Sequence, residues 1–224
     1  MTGPLALLGG TFDPVHNGHI GLAEDVRRAL GFAEVWLVPA GDPPHRDGPA
    51  ASGRDRVAML QLAAQGHPGL VVDAREVERQ GKSYTVLTLE ELRREMPGRP
   101  IVLLVGADAF LGFPTWHRWH DIFDLAHVVV VARPGIELAP AGELAKEWKN
   151  RVARTPEALF STPAGIIYQQ PIAPQPISAS VIRAQLARGA GGRDAVRQMM
   201  SPAVLRYIDQ HHLYSDQAHQ QDAT

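Results

Sequence analysis

Residues 5–20, LALLGGTFDPVHNGHI, constrain the fold of this chain more than any other stretch. Leu5 to Leu8 form an apolar run too short for a surface helix and suited to a buried parallel strand. Gly9 and Gly10 then permit a sharp turn and let a ligand come close to the backbone. Pro14 stops an early helix, Asn17 reads as an N-cap, and Ile20, Ala23, Val26 and Leu30 recur at helical spacing. The pattern is strand, glycine turn, helix. The unpaired N–H groups and positive dipole end of such a helix form an anion site. His16 and His19 sit at its mouth and can donate hydrogen bonds to phosphate oxygens. They could instead ligate a metal or be ordinary surface histidines. The lack of a third His, Cys or carboxylate at a telling spacing argues against the metal.

The rest of the chain alternates in the same way. Strands are expected at Glu34 to Pro39, Leu70 to Asp73, Ile101 to Val105, His127 to Ala132 and Ile166 to Tyr168. A first intervening helix runs from Ser52 to about Ala64, with Val57, Leu60 and Ala64 on one face. A second is capped by Ser83 and buries Val86, Leu89 and Leu92. A helical insertion is expected over 141–153, followed by a loop. Ser178 opens a helix that ends at Gly189, and Ser201-Pro202 opens the last, with Val204, Ile208 and Leu213 facing the core. Strands separated by helices imply right-handed crossovers and an α/β fold with a mostly parallel sheet and helices on both faces. Ligands then bind beyond the carboxyl ends of the strands.

Several polar residues fall at those ends. The Pro- and Gly-rich loop 40–49 carries His45 and Arg46, which reach a phosphate or simply face solvent. Gly81-Lys82-Ser83 imitates the end of a phosphate-binding loop, but position 76 is Glu rather than Gly and no strand precedes it suitably. Asp108, just past a buried strand, suits a ribose or a helix cap. Trp116 and Trp119 lie three apart, so one can be core and the other a stacking surface. Ser180 and Arg183 lie three apart near a helix start and can face one anion, or be a surface cap with a solvated arginine.

Composition narrows the classes. With 22 Lys+Arg against 24 Asp+Glu the net charge is −2, so no global field recruits nucleic acid or an anionic membrane. The absence of cysteine excludes disulfides, thiolate catalysis and zinc–thiolate sites, and fits a cytoplasmic protein. No basic leader or apolar run of about 20 residues is present.

GGTFDPVHNGH (9–19) resembles the signature of the HxGH nucleotidyltransferases, which have a Rossmann-like fold. PPHR (43–46), SYTVLTLEEL (from 83), GADAF (from 106), FPTW (113–116), ISASVIR (177–183) and VLRYIDQHHLY narrow this to a resemblance to bacterial nicotinate-nucleotide adenylyltransferases. The resemblance implies adenylyl transfer from ATP to nicotinate mononucleotide in NAD biosynthesis, with Mg²⁺ accompanying ATP. It implies that Gly9, Gly10, Thr11, Phe12, His16, His19, Gly106, Asp108, Ser178, Ser180 and Arg183 bind ATP. Of these, His16, His19 and Arg183 are the catalytic residues. His45, Arg46, Thr85, Trp116, His117 and Arg133 are assigned to the second substrate. Residues 1–214 are expected to form one nucleotidyltransferase domain, with 136–165 inserted and 215–224 a flexible tail. Ala179 departs from a position that is often Ser. An oligomer contact and a plain surface elaboration both fit the long insertion. The rivals are the same chemistry on another acceptor, and a nucleotide-binding module without catalysis.

Overall fold

The computed structural model describes residues 3–43, 48–173 and 175–215. Its centre is a seven-stranded sheet in the order β3-β2-β1-β4-β5-β7-β6, with every neighbouring pair parallel. In chain order the elements are β1 (Leu5–Gly10), α1 (Asn17–Leu30), β2 (Val35–Pro39), α2 (Gly53–Ala64), β3 (Leu70–Val72), α3 (Arg75–Glu78) and α4 (Thr85–Glu95). They continue with β4 (Ile101–Gly106), α5 (Ala107–Leu111), α6 (Ile122–Leu125), β5 (His127–Ala132), α7 (Gly142–Arg151), β6 (Val152–Ala153) and β7 (Ile167–Pro171). Helices α8 (Ala179–Leu186), α9 (Ala190–Val196) and α10 (Pro202–Gln210) complete the described chain.

The central strands β1, β4 and β5 are almost wholly apolar because both faces of the sheet are covered there. Ala6, Leu8, Val102 and Leu104 point into one core, shared with α1, α2, α8, α9 and α10. Leu5, Leu7, Ile101, Leu103 and Val105 point into the other, shared with α4, α5 and α6. The chain runs outward from β1 to β3, then returns to lay β4 on the other side of β1. The strand order therefore reverses between β1 and β4, and a crevice opens beyond their carboxyl ends.

Four expectations need correction. On α2 the buried residues are Arg56, Met59, Leu60 and Ala63, one position earlier than the apolar pattern indicates, because a buried arginine leads the stripe. The helix expected over 141–153 ends at Arg151, and the last two residues of that range, Val152–Ala153, instead pair with β7, too briefly to show an alternating pattern. The insertion also sends Leu144 and Leu159 into opposite cores. Gly189 is followed by another helix, α9, whose AGGRDAV sequence hides it. Gly192 is required there, since a Cβ would lie 1.7 Å from the Gln185 carbonyl oxygen on α8. Ser83 does not cap α4; Tyr84 occupies that position, and the Ser83 side chain serves a different loop.

Candidate active site

Gly9 and Gly10, expected as a turn, end β1 and pair with Val38 and Pro39 of β2; the turn proper follows from Thr11. A Cβ at Gly10 would stand 3.1 Å from the Phe12 ring, and Phe12 itself adopts a left-handed φ of 51° while fully buried. The N-cap of α1 is His16 rather than Asn17. Asn17 is instead tied to the turn between α9 and α10: its N–H donates to the Met199 carbonyl (2.7 Å) and its Nδ2 to that of Gln198 (3.0 Å). The His16 backbone N–H donates to Nδ1 of His19 at 3.3 Å. With Nδ1 accepting, the proton of neutral His19 sits on Nε2. The two imidazoles stack with centroids 3.7 Å apart, and Phe12 meets His19 edge-on at 4.9 Å. Gly18 makes room for this pair, since a Cβ there would lie 3.0 Å from Nδ1 of His16.

Burial lowers the His16 imidazole to about 4 and that of His19 to about 3, the latter further depressed by the charge His16 would carry. Both rings are therefore uncharged at neutral pH. Permanent charge comes from Arg183 on α8, whose Nη1 donates to the Asp13 carbonyl at 2.6 Å. The Asp13 carboxylate is buried and engaged. It accepts the N–H groups of Ala50 (2.8 Å) and Ala51 (3.1 Å) and the hydroxyl of Tyr214 (2.7 Å).

Arg56, 1 % exposed, braces the same turn from below. Its guanidinium donates to the carbonyls of Thr11 (2.8 Å), Gly41 (3.2 Å) and Ala51 (3.3 Å). Sequence reasoning passed over Arg56 and Tyr214, because a charged residue in an amphipathic helix reads as solvated and a tyrosine near a polar tail reads as surface.

The crevice has a volume of about 1340 Å³. That exceeds the roughly 300–1,000 Å³ of an ordinary single-ligand pocket and suits two substrates side by side. Gly10, Thr11, Phe12, His19, Ala179 and Arg183 line one part; Tyr84, Thr85, Asp108, Trp116 and His117 line another. His16 stands directly behind His19. Gly9 and Gly106 lie at the strand ends outside the lining, as do the exposed Ser178 and Ser180, whose hydroxyls bond each other at 2.8 Å. Arg133, exposed past β5, does not line the crevice. His45, Arg46 and residues 216–224 lie outside the described residues.

The second part of the lining is also built from local structure. Thr85 is the first residue of α4 and lines the crevice, so the N-terminal, positive end of that helix borders it. Trp116 packs on Phe113 at 4.6 Å, with its other side in the crevice, whereas Trp119 is buried against Phe123. His117 leans on Tyr84 at 4.4 Å. Asp108 lies in the first turn of α5, which is capped by Gly106, so its carboxylate is free to face the crevice. Ser83 Oγ accepts the N–H groups of Gly41 (2.8 Å) and Asp42 (3.2 Å), tying the start of α4 to the loop after β2.

Residues 7–185 match the family model described as cytidylyltransferase-like. A protein of Acidithiobacillus ferrooxidans named probable nicotinate-nucleotide adenylyltransferase is 45% identical over 214 residues, covering 94% of this chain and 95% of its own. A protein of the same name from Dechloromonas aromatica is 45% identical over 218 residues, covering 96% and 99%. Among solved structures, the nicotinic acid mononucleotide adenylyltransferase of Plasmodium falciparum complexed with NaAD superposes with a TM-score of 0.71 over 95% of this chain and 97% of that one. At 15% identity it speaks to the fold, which is the Rossmann-like nucleotidyltransferase fold. With the turn after β1, the histidine pair and Arg183 converging on one crevice, the chain belongs to the cytidylyltransferase-like family and, within it, to the nicotinate-nucleotide adenylyltransferases.

Proposed function

We propose that this chain transfers the adenylyl group of ATP to nicotinate mononucleotide, giving nicotinate adenine dinucleotide and diphosphate, a step of NAD biosynthesis. One observation carries the reading: a single crevice joins a set of phosphate donors at the end of β1 to an aromatic, N–H-rich platform formed by Thr85 and Trp116.

The 5′-phosphate of the mononucleotide attacks the α-phosphorus of ATP, the bond to the β-phosphate oxygen breaks, and diphosphate leaves. The nucleophile is already ionised near neutral pH, so the crevice needs no general base. Its work is to bring two polyanions into line and to neutralise charge on the α-phosphate and the leaving oxygens. The Nε2–H of His19 and the guanidinium of Arg183 are the donors for that charge, with the positive end of the α1 dipole beside them. A neutral imidazole suits the role because it offers an N–H without trading a proton. The His16 backbone N–H sets the His19 tautomer and its ring backs that of His19; Thr11 and the backbone of Gly10 border the phosphates. Asp108 serves the adenosine from the helix that Gly106 caps, and Ser180 assists Arg183 from the rim.

Mg²⁺ enters as part of the ATP complex. Bound with ATP it would supply charge neutralisation across the phosphates, beside His19 and Arg183. On the other side, Trp116 stacks on the pyridine ring, and the N–H groups at Thr85 receive the nicotinate carboxylate. The uncharged amide of a nicotinamide ring gains less there.

Diphosphate release from Mg-ATP, with the nicotinate and nicotinamide mononucleotides tested side by side, decides the matter. Release with the acid and little with the amide is the expected result. Equal release with both would remove the carboxylate role of Thr85 while keeping adenylyl transfer. Silence with both, in a folded protein that binds ATP, would point to another acceptor.

A further inference from the structure

Beyond the crevice lining lies a contact from the far end of the described chain. After α10 the backbone turns through two left-handed residues, His212 (φ 53°) and Tyr214 (φ 60°). Neither is glycine, and such a conformation persists only where surrounding contacts hold it. Here they are visible. The Leu213 N–H donates to the Ile208 carbonyl, Leu213 and Tyr214 pack against the core, and the Tyr214 hydroxyl donates to Asp13 Oδ1 at 2.7 Å. Seven residues earlier, Tyr207 donates its hydroxyl to Asp55 Oδ1 at 3.0 Å, securing α10 to the start of α2.

Asp13 is the point where these contacts reach the chemistry. Its carboxylate takes Tyr214 on one oxygen and the N–H groups of Ala50 and Ala51 across both. Its backbone carbonyl takes Nη1 of Arg183, which also stands 3.9 Å from Oδ2. Arg183 is otherwise free to swing, being about a third exposed. Asp13 therefore joins, in one residue, the Tyr214 hydroxyl and the loop that returns to α2, held on its carboxylate, to the anchor of the Arg183 guanidinium, which is its own carbonyl. We propose that Tyr214 is a positioning residue for adenylyl transfer: by fixing Asp13 it sets Arg183 against the triphosphate. This rests on the function proposed above. Burial and the bond to Asp13 keep the Tyr214 hydroxyl protonated, so it is a donor under all assay conditions.

The test is a double-mutant cycle on Tyr214→Phe and Arg183→Ala, read as Mg-ATP affinity by calorimetry and as kcat for diphosphate release. Tyr214→Phe should lower kcat about 5- to 30-fold and weaken ATP several-fold, with KM for nicotinate mononucleotide within about twofold. In the Arg183→Ala background the same change should cost less than about twofold, because Tyr214 then has nothing left to position. A Tyr214→Phe protein with a lower Tm but normal kcat and ATP affinity would reduce the residue to a structural strap and overturn the proposal, as would fully multiplicative losses. If Tyr214→Phe does not fold, Asp13→Asn, which keeps an acceptor oxygen but weakens the hub, runs the same cycle with the same criteria. A wild-type protein that binds ATP but releases no diphosphate with nicotinate mononucleotide refutes the assigned reaction, while the affinity arm of the cycle still decides the role of Tyr214.

Discussion

His19 illustrates how little a side chain needs in order to have one defined task. The backbone N–H of His16 occupies its Nδ1, so its only remaining N–H is Nε2, and burial keeps the ring neutral. Removing that donor by His19→Ala should leave the fold intact and reduce kcat by about 10²–10³, the usual cost of one lost transition-state donor. Steady-state kinetics with a circular dichroism control checks this; near-normal turnover would remove the donor role. Arg56 is the opposite case, a cation whose job is purely architectural. It satisfies three carbonyls from three segments, and the Asp13 carboxylate supplies the opposing charge nearby. Lysine keeps the charge but has a single nitrogen, which cannot reach the Thr11, Gly41 and Ala51 carbonyls together. Arg56→Lys should therefore lower unfolding free energy by about 2–4 kcal/mol, since each abandoned buried carbonyl costs about 1–3 kcal/mol. Urea denaturation measures it, and a loss under about 1 kcal/mol would show that water replaces the missing bonds.

At the scale of elements, the crevice depends on the connection between β2 and α2 as much as on the strands. Gly41 donates to Ser83, accepts from Arg56, and presses so closely on α3 that a Cβ would lie 2.1 Å from the Glu76 carbonyl oxygen. Gly41→Ala must push this connection away from α3, disturbing the Thr11 turn through Arg56 and the Thr85 turn through Ser83. Overpacking of that kind costs about 1–3 kcal/mol, and KM should rise for both substrates together. A selective effect on one substrate would mean that the two halves of the crevice are not linked through this loop. Such linkages were the part least legible in the sequence. β1, the turn after it and α1 could be read directly, because each rests on neighbours within a few residues. The same holds for the apolar runs Ile101–Val105 of β4 and Val128–Ala132 of β5, buried on both faces. Arg56, Ser83 and Tyr214 could not be read, since each joins segments 40 or more residues apart, and nothing local distinguishes an inward-facing Arg from a solvated one. The two-residue β6 and the Gly-rich α9 escaped for another reason: both are set by docking onto β7 and α8 rather than by propensity.

For the molecule as a whole, placing the crevice where the strand order reverses draws donors from β1, α1 and α8 against a platform from α4 and the turn after α5. Closing that arrangement requires two stacked histidines to be taken largely out of water, and this has a consequence for stability. Their folded pKa values, about 4 and about 3, lie below the ordinary value of 6.5 that the unfolded chain retains. Above pH 6.5 neither state binds the protons and the histidines add no pH dependence. As pH falls below 6.5 the unfolded chain takes up protons that the folded chain refuses, so stability is lost progressively until the folded values are reached. Each histidine contributes a slope of up to about 1.4 kcal/mol per pH unit in that window. Urea unfolding between pH 7.5 and pH 5 should therefore show a steep decline in the wild-type protein and a shallower one in a His16→Gln, His19→Gln double variant. His127, also depressed by burial and bonded to the Thr162 carbonyl and the Ile166 N–H, is present in both proteins and cancels in the comparison. Parallel declines in the two proteins would mean that the pair titrates normally and that the neutral-donor reading of His19 is wrong.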